Sequence, residues 1–180
     1  AVTRAGARPG DLLLVTGTLG GPGAALAAWS AGGVPTAWAR ERFAGPVPRI
    51  AEGQALAEAG AHAMLDLSDG LASDARHLAA ASGVSVVIHP EQLPVGVGCT
   101  PEAALGSGEE YELLVALPPA AVDALRPHWD AQQQTPLTII GEVQAASVEH
   151  PAGTVRVIPR NSPGSVRVEF ATGHDHFSPS

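Results

Sequence analysis

The sequence predicts a mixed α/β fold of the α+β type. Strand-like and helix-like segments alternate through its first half, strand-like segments run together towards its end, and no internal repeat of 20–50 residues interrupts the series. The 180 residues fit one domain of ordinary size, and with 45% hydrophobic against 16% charged residues the chain can bury a core. Glycine (21) and proline (16) together make up about a fifth of the chain. That composition is rich in turns but falls short of the roughly 25–30% that marks disorder.

The elements follow in order. Gly10 and Asp11 open a turn, and the apolar run 12–16, closed by Gly17, has the length of a buried strand. Residues 22–31 are alanine-rich and helical by propensity until Gly32, Gly33 and Pro35 stop them. Three prolines between 35 and 48 predict an irregular connection with at most a short helix. Helical character resumes over 48–59, where Ile50, Leu56 and Ala57 share a face, and Gly60 ends it. Residues 61–67 read as a second buried strand. Residues 69–81 read as a helix with Leu71, Ala75 and Leu78 at three-to-four spacing, closed by Ser82 and Gly83. A β-branched strand over 84–89 precedes a loop over 90–101, where prolines and glycines dominate. A strand over 111–117, a helix over 119–129 with proline in its first turn and a strand over 137–143 come next. Two short strands, 154–158 and 166–170, flank a turn at 161–164, and residues 172–180 form a polar tail.

Charge narrows the function. Ten arginines, no lysine and 18 acidic residues give a net charge of −8, which argues against a nucleic-acid partner, because phosphate backbones are held by clustered cations. Without lysine there is no Walker-type P-loop lysine, no Schiff base and no lysine general base. Any phosphate bound here must be held by arginine, backbone N–H groups or a metal. Cys99 is the single cysteine, so no intrachain disulfide can form, and a reducing cytoplasmic compartment is expected. No run approaches the ~18 apolar residues of a membrane-spanning helix, and the first residues lack the pattern of a signal peptide. They also lack an initiator methionine, so the chain is expected to begin inside a longer protein.

Two segments could carry chemistry. In the first, Asp66 lies in a predicted buried strand and Ser68, Asp69 and Gly70 follow where strand gives way to helix. An ionised aspartate in an apolar run is costly unless paired or bound to a cation, and a helix start offers N–H groups to a phosphate. Together they suit magnesium and phosphate, with Asp66 and Asp69 as oxygen ligands. The plainer alternative is that Ser68 or Asp69 caps the helix. In the second, Gly106, Ser107 and Gly108 precede Glu109, Glu110 and Glu112. This arrangement suits a metal or a cationic substrate, or else is a solvated turn. His174 and His176 lack the partners of a zinc site, and Cys99 has no histidine near it in sequence.

An ordered series of motifs ties these segments together. It comprises Thr3-Arg4, Pro9-Gly10-Asp11, Val15-Thr16-Gly17-Thr18-Leu19-Gly20, the Pro46 to Arg49 turn, Asp66-Leu67-Ser68-Asp69-Gly70-Leu71, Gly108-Glu109-Glu110-Tyr111-Glu112-Leu113, and Gly173 to Phe177. In order and spacing it resembles the thiamine-monophosphate kinase family, ATP-dependent enzymes that make thiamine diphosphate. The resemblance implies a PurM-like C-terminal domain spanning residues 1–180, with α/β/α layers around a mixed sheet. It also implies that the family's N-terminal domain is absent from this chain, that the fragment alone has little activity, and that the full-length protein is a homodimer. Carried over, Asp66 and Asp69 would bind Mg²⁺, Arg4 and Ser68 would contact ATP, and Glu109 or Glu110 together with His174 would contact thiamine phosphate. Glu110 stands where the family has aspartate, and His174 where it has a larger aromatic. Two other readings stay open: a non-catalytic nucleotide-binding or dimerisation domain, and a relative acting on a different phosphate acceptor.

Overall fold

The computed structural model describes residues 1–133 and 135–160, so the expected turn at 161–164, strand 166–170 and polar tail lie outside the described residues. The elements in chain order are β1 (Leu12–Thr16), α1 (Gly21–Ser30), α2 (Ala37–Ala44), α3 (Ile50–Glu58), β2 (Ala63–Asp66), α4 (Leu71–Ser82) and β3 (Val84–Ile88). A short 3-10 turn (Pro90–Gln92), α5 (Pro101–Gly106), β4 (Leu113–Leu117), α6 (Pro119–Gln132), β5 (Leu137–Ala145) and β6 (Val155–Val157) complete them. The strands form one sheet in the order β2-β4-β1-β5-β3-β6. Its pairings are antiparallel except for β3 with β6, which makes the sheet mixed.

Alternation along the strands sorts the core onto two faces. Leu13, Val15, Leu114 and Ala116 pack with Leu71, Ala75 and Leu78 of α4 and with Ala104 and Leu105 of α5. Leu14, Val115 and Leu117 pack on the other side with Leu56 of α3 and with Val122 and Trp129 of α6. Helices therefore cover both faces, giving the α/β/α layers that the resemblance implies. Each fully buried leucine, such as Leu13 or Leu114, stabilises this arrangement by about 1.5–3 kcal/mol. Among the described residues no helix is long and apolar enough to cross a membrane.

β2 is shorter than its expected 61–67, α6 and β5 run on past 129 and 143, and three further departures lie beside the acidic motifs. Helix α5 falls in a stretch with no predicted element, although Thr100 accepts the Ala103 N–H at 3.2 Å and Pro101 opens the first turn, both recognisable start signals. The helix expected from Asp69 begins only at Leu71, because Gly70 has φ 102° and breaks the helical path. The strand expected from Tyr111 begins at Leu113, because Tyr111 has φ 51°.

Register within the sheet depends on one glycine. The β1–β5 pairing shifts between Leu13 and Leu14, and Gly141 follows that bulge. A Cβ at Gly141 would lie 1.9 Å from the Val87 carbonyl oxygen, so Gly141→Ala is expected to force β3 and β5 apart and cost about 3 kcal/mol or more. Gly53→Ala in α3 meets only an ordinary contact, 3.5 Å to Leu113 Cδ1, and should instead stabilise by up to about 1 kcal/mol. Urea unfolding midpoints of the two variants check the contrast.

Candidate functional site

β1 and β2 both run antiparallel to β4, so their C-terminal ends and the start of β4 share one edge of the sheet. That edge joins the two acidic motifs. Asp66 pairs with Leu113, and the Leu67 N–H donates to the Glu112 carbonyl at 2.8 Å. The N–H groups of Tyr111 and Glu109 then donate to the carbonyls of Leu67 and Ser68, each at 2.9 Å. Segments 66–70 and 108–112 are thus zipped along their backbones. Only glycine fits at the crossing: a Cβ at Gly108 would lie 2.9 Å from the Ser68 oxygen, and one at Gly70 would lie 3.1 Å from the Gly106 carbonyl carbon.

The expectation of a buried Asp66 is corrected. Asp66 is the last residue of β2, and its side chain is exposed where the strand leaves the sheet edge. The capping alternative for Ser68 and Asp69 is corrected as well, since Gly70 occupies the N-cap position and no side chain caps α4. Asp74, one turn into α4, instead turns back and accepts the N–H groups of Ser68 and Asp69, each at 3.0 Å. Asp74 is only 2% exposed, and burial pushes its carboxyl pKa up to about 6 against the two hydrogen bonds that pull it down. Asp69 is exposed, with His77 Nε2 3.9 Å from its Oδ2. Ligand atoms of Asp69, Asp74 and His77 all lie within 4.8 Å of one another, close enough to share a metal ion. The exposed carboxylates of Asp66 and Asp69 have the oxygen chemistry of a hard divalent cation. The imidazole of His77 suits magnesium less well.

The acidic loop divides its glutamates by role. Glu109 is exposed, and its Oε2 accepts the Tyr111 hydroxyl at 2.8 Å, which holds that phenol above its usual pKa. Glu110 points inward at 1% exposure, where its Oε1 accepts the Gly20 N–H at 2.6 Å and burial pushes its pKa up. Glu112 is fully buried. Its carboxylate accepts Arg49 Nε and Nη2, Arg42 Nη2 and Thr16 Oγ1, all at 2.7 Å. This pairing raises the Arg49 pKa above its usual value. Gly17 leaves room for the clamp, because a Cβ there would sit 2.2 Å from Glu112 Oε1.

Arg4 is exposed, and its carbonyl accepts the Ser82 hydroxyl at the C-terminal end of α4, the opposite end of that helix from Ser68 and Asp69. His174 lies outside the described residues.

The profile of the AIR synthase related protein, C-terminal domain, matches residues 8–151. The chain belongs to that family. Among relatives of this AIR synthase related domain, the thiamine-monophosphate kinase of Halobacterium salinarum is 42% identical over 154 residues, covering 81% of this chain and 50% of the relative. The crystal structure of thiamine-monophosphate kinase from Stenotrophomonas maltophilia K279a superposes with TM-score 0.78 at 32% identity, covering 87% of this chain and 52% of that one. A structure of AaThiL complexed with AMPPCP and TMP superposes with TM-score 0.70 at 32% identity, covering 87% of this chain and 50% of that one. The AIR synthase related domain described here thus spans about half the length of the relatives it matches.

Sequence reasoning passed over Asp74 and Arg42 in this domain and read Arg49 only as the end of the Pro46 to Arg49 turn. Asp74 had a signal: it is an acid on the helix face shared by Leu71, Ala75 and Leu78, where a lone carboxylate needs a partner. The pairing of the two arginines with Glu112 had none, since Arg42 and Arg49 lie 70 and 63 residues from it in sequence.

Proposed function

We propose that this chain is the C-terminal half of an ATP-dependent thiamine-phosphate kinase and forms one wall of its phosphoryl-transfer site. The observation that carries this reading is the backbone zipper between segments 66–70 and 108–112. It brings Asp66, Ser68, Asp69 and Glu109 to one exposed edge, in a chain 42% identical to an enzyme named for that reaction. In the proposed reaction an oxygen of the thiamine phosphate attacks the γ-phosphorus of ATP. The new P–O bond forms as the bond to the β-phosphate oxygen breaks, and thiamine diphosphate and ADP leave. The main obstacle is repulsion between two polyanions, and magnesium supplies the positive charge that relieves it.

The residues of this chain take the following roles. Asp66 and Asp69 hold magnesium through their exposed carboxylates. Asp74 fixes the turn on which Asp69 stands, and Ser68 contacts ATP. Glu109, the exposed glutamate of the pair, contacts thiamine phosphate, whereas Glu110 is committed to Gly20. The glutamate-for-aspartate change at 110 therefore falls behind the site and leaves acceptor choice to other groups. Arg4 for ATP and His174 for the acceptor are assigned on resemblance, as is the homodimer of the full-length protein, and a cytoplasmic location is proposed from the single cysteine.

Extending the chain to its full coding sequence and offering it ATP, Mg²⁺ and thiamine phosphate tests this reading. Chromatographic detection of thiamine diphosphate is the expected result. A folded protein that hydrolyses or binds ATP but phosphorylates only another phosphate monoester would replace the acceptor. The 180 residues alone are expected to show at most trace turnover.

A further inference from the structure

The acidic loop holds a costly backbone shape. Glu109 and Tyr111 have φ of 62° and 51°, in the left-handed region that side-chain-bearing residues seldom adopt, so surrounding contacts must hold them there. The front of the loop is fixed by the carbonyls of Leu67 and Ser68. The back is fixed by Arg42. Its Nη2 donates both to the Glu110 carbonyl at 3.1 Å and to Glu112 Oε1 at 2.7 Å, so a single guanidinium nitrogen spans the two residues that flank Tyr111.

Arg42 is itself supported. It lies on α2, whose Phe43 packs edge-on against Trp29 of α1 with ring centroids 5.1 Å apart. Gly21 lets the helices close, since a Cβ there would lie 2.7 Å from Arg42 Cβ. The start of α1 is tied to the same loop, because Glu110 accepts the Gly20 N–H and Ser107 Oγ accepts the Gly23 N–H at 3.0 Å. Arg49 grips Glu112 with two donors but has no hydrogen bond to the loop backbone among the described residues.

We infer that Arg42 is the positioning residue of this site: by bridging the Glu110 carbonyl and the Glu112 carboxylate it holds Tyr111 in its left-handed conformation and so presents the Glu109 carboxylate to the acceptor. What Glu109 faces rests on the kinase reading. The restraint on the loop does not. Removing Arg42 leaves Glu112 with Arg49 and Thr16, so the fold is expected to survive while the loop loosens.

The test has two arms. Hydrogen exchange is first compared between the 180-residue chain and its Arg42→Ala variant. The amides of Glu109 and Tyr111 are expected to exchange at least about tenfold faster in the variant, with Leu14 and Val115 unchanged. If the core amides also lose protection, Arg42→Lys is read the same way, because it keeps the charge but its ammonium ends one bond short of the Nη2 position that makes both contacts. In the second arm, the full coding sequence carrying Arg42→Ala is expected to show about a tenfold higher KM for thiamine phosphate, with kcat and the KM for ATP within about threefold. Arg40→Ala, an exposed neighbour on α2, should change neither. Wild-type exchange at Glu109 and Tyr111 in a folded variant would overturn the role of Arg42. An inactive wild-type enzyme would instead overturn the kinase reading and leave exchange to decide the restraint.

Discussion

Replacing Glu112 with alanine is expected to destabilise the protein by about 3–5 kcal/mol, because it strands two half-buried guanidinium groups without their carboxylate. Glu112 is fully buried and accepts four hydrogen bonds, three of them from Arg42 and Arg49. Glu52 lies 3.6 Å from Arg49 and would remain as a weaker partner, so the loss falls short of isolating both cations completely. Against a typical stability of about 5–15 kcal/mol, a change of this size removes much of the folded population. Glu112→Gln keeps the shape but loses the charge and one of the two acceptor oxygens, and should fall between wild type and Glu112→Ala. Urea unfolding checks the series. A loss below about 1 kcal/mol for Glu112→Ala would mean that the clamp behaves as an exposed surface pair.

Asp74 should separate stability from function. Its carboxylate serves the N–H groups of Ser68 and Asp69, and its pKa lies near 6, above the ordinary 3.8. Between those values the folded state binds more protons than the unfolded state, so this group's contribution to stability falls as pH rises through the window. Asp74→Asn retains an acceptor oxygen without the buried charge. It is expected to unfold at a urea concentration equal to or above wild type at pH 7.5, and to lose the part of the pH 4–6 slope that Asp74 causes. Asp74→Ala leaves two N–H groups unpartnered and should cost about 1–3 kcal/mol. Both variants are expected to lower magnesium-dependent turnover of the full-length enzyme by about 10–100-fold, because the turn carrying Asp69 loses its anchor or its charge. Unfolding curves without divalent cation, set beside magnesium titrations of turnover, check the separation. Normal turnover by a folded Asp74→Asn protein would remove Asp74 from the support of the proposed magnesium site.

Much of the fold was legible because the apolar periodicities are clean. The runs that became β1, β3 and β4 have strand length and turn boundaries, and the three-to-four spacing of Leu71, Ala75 and Leu78 gave α4. The misplaced starts of α4 and β4 sit at Gly70 and Tyr111, whose positive φ values belong to the backbone zipper between segments 66–70 and 108–112 rather than to local preference. Both acidic motifs were legible as clusters, yet sequence gave no sign that they would zip together, since Ser68 and Glu109 lie 41 residues apart and meet only through sheet register. For the same reason the inward turn of Glu110 and the outward turn of Glu109 could not be read from adjacent, chemically identical residues. What separates them is the left-handed φ of Glu109 and the N–H of Gly20.

The most direct test of the central claim compares wild type with Asp66→Asn in the full-length enzyme, following thiamine diphosphate formed from ATP and thiamine phosphate as Mg²⁺ is raised. The Asp66 side chain is exposed and makes no hydrogen bond or salt bridge among the described residues, so the variant should keep its strand pairing with Leu113 and fold as wild type does. Wild type is expected to form product in a magnesium-dependent way, and the variant to lose on the order of 10²-fold or more, the size seen when a transition-state charge contact is removed. Equal turnover by the two proteins at every magnesium concentration would contradict the claim.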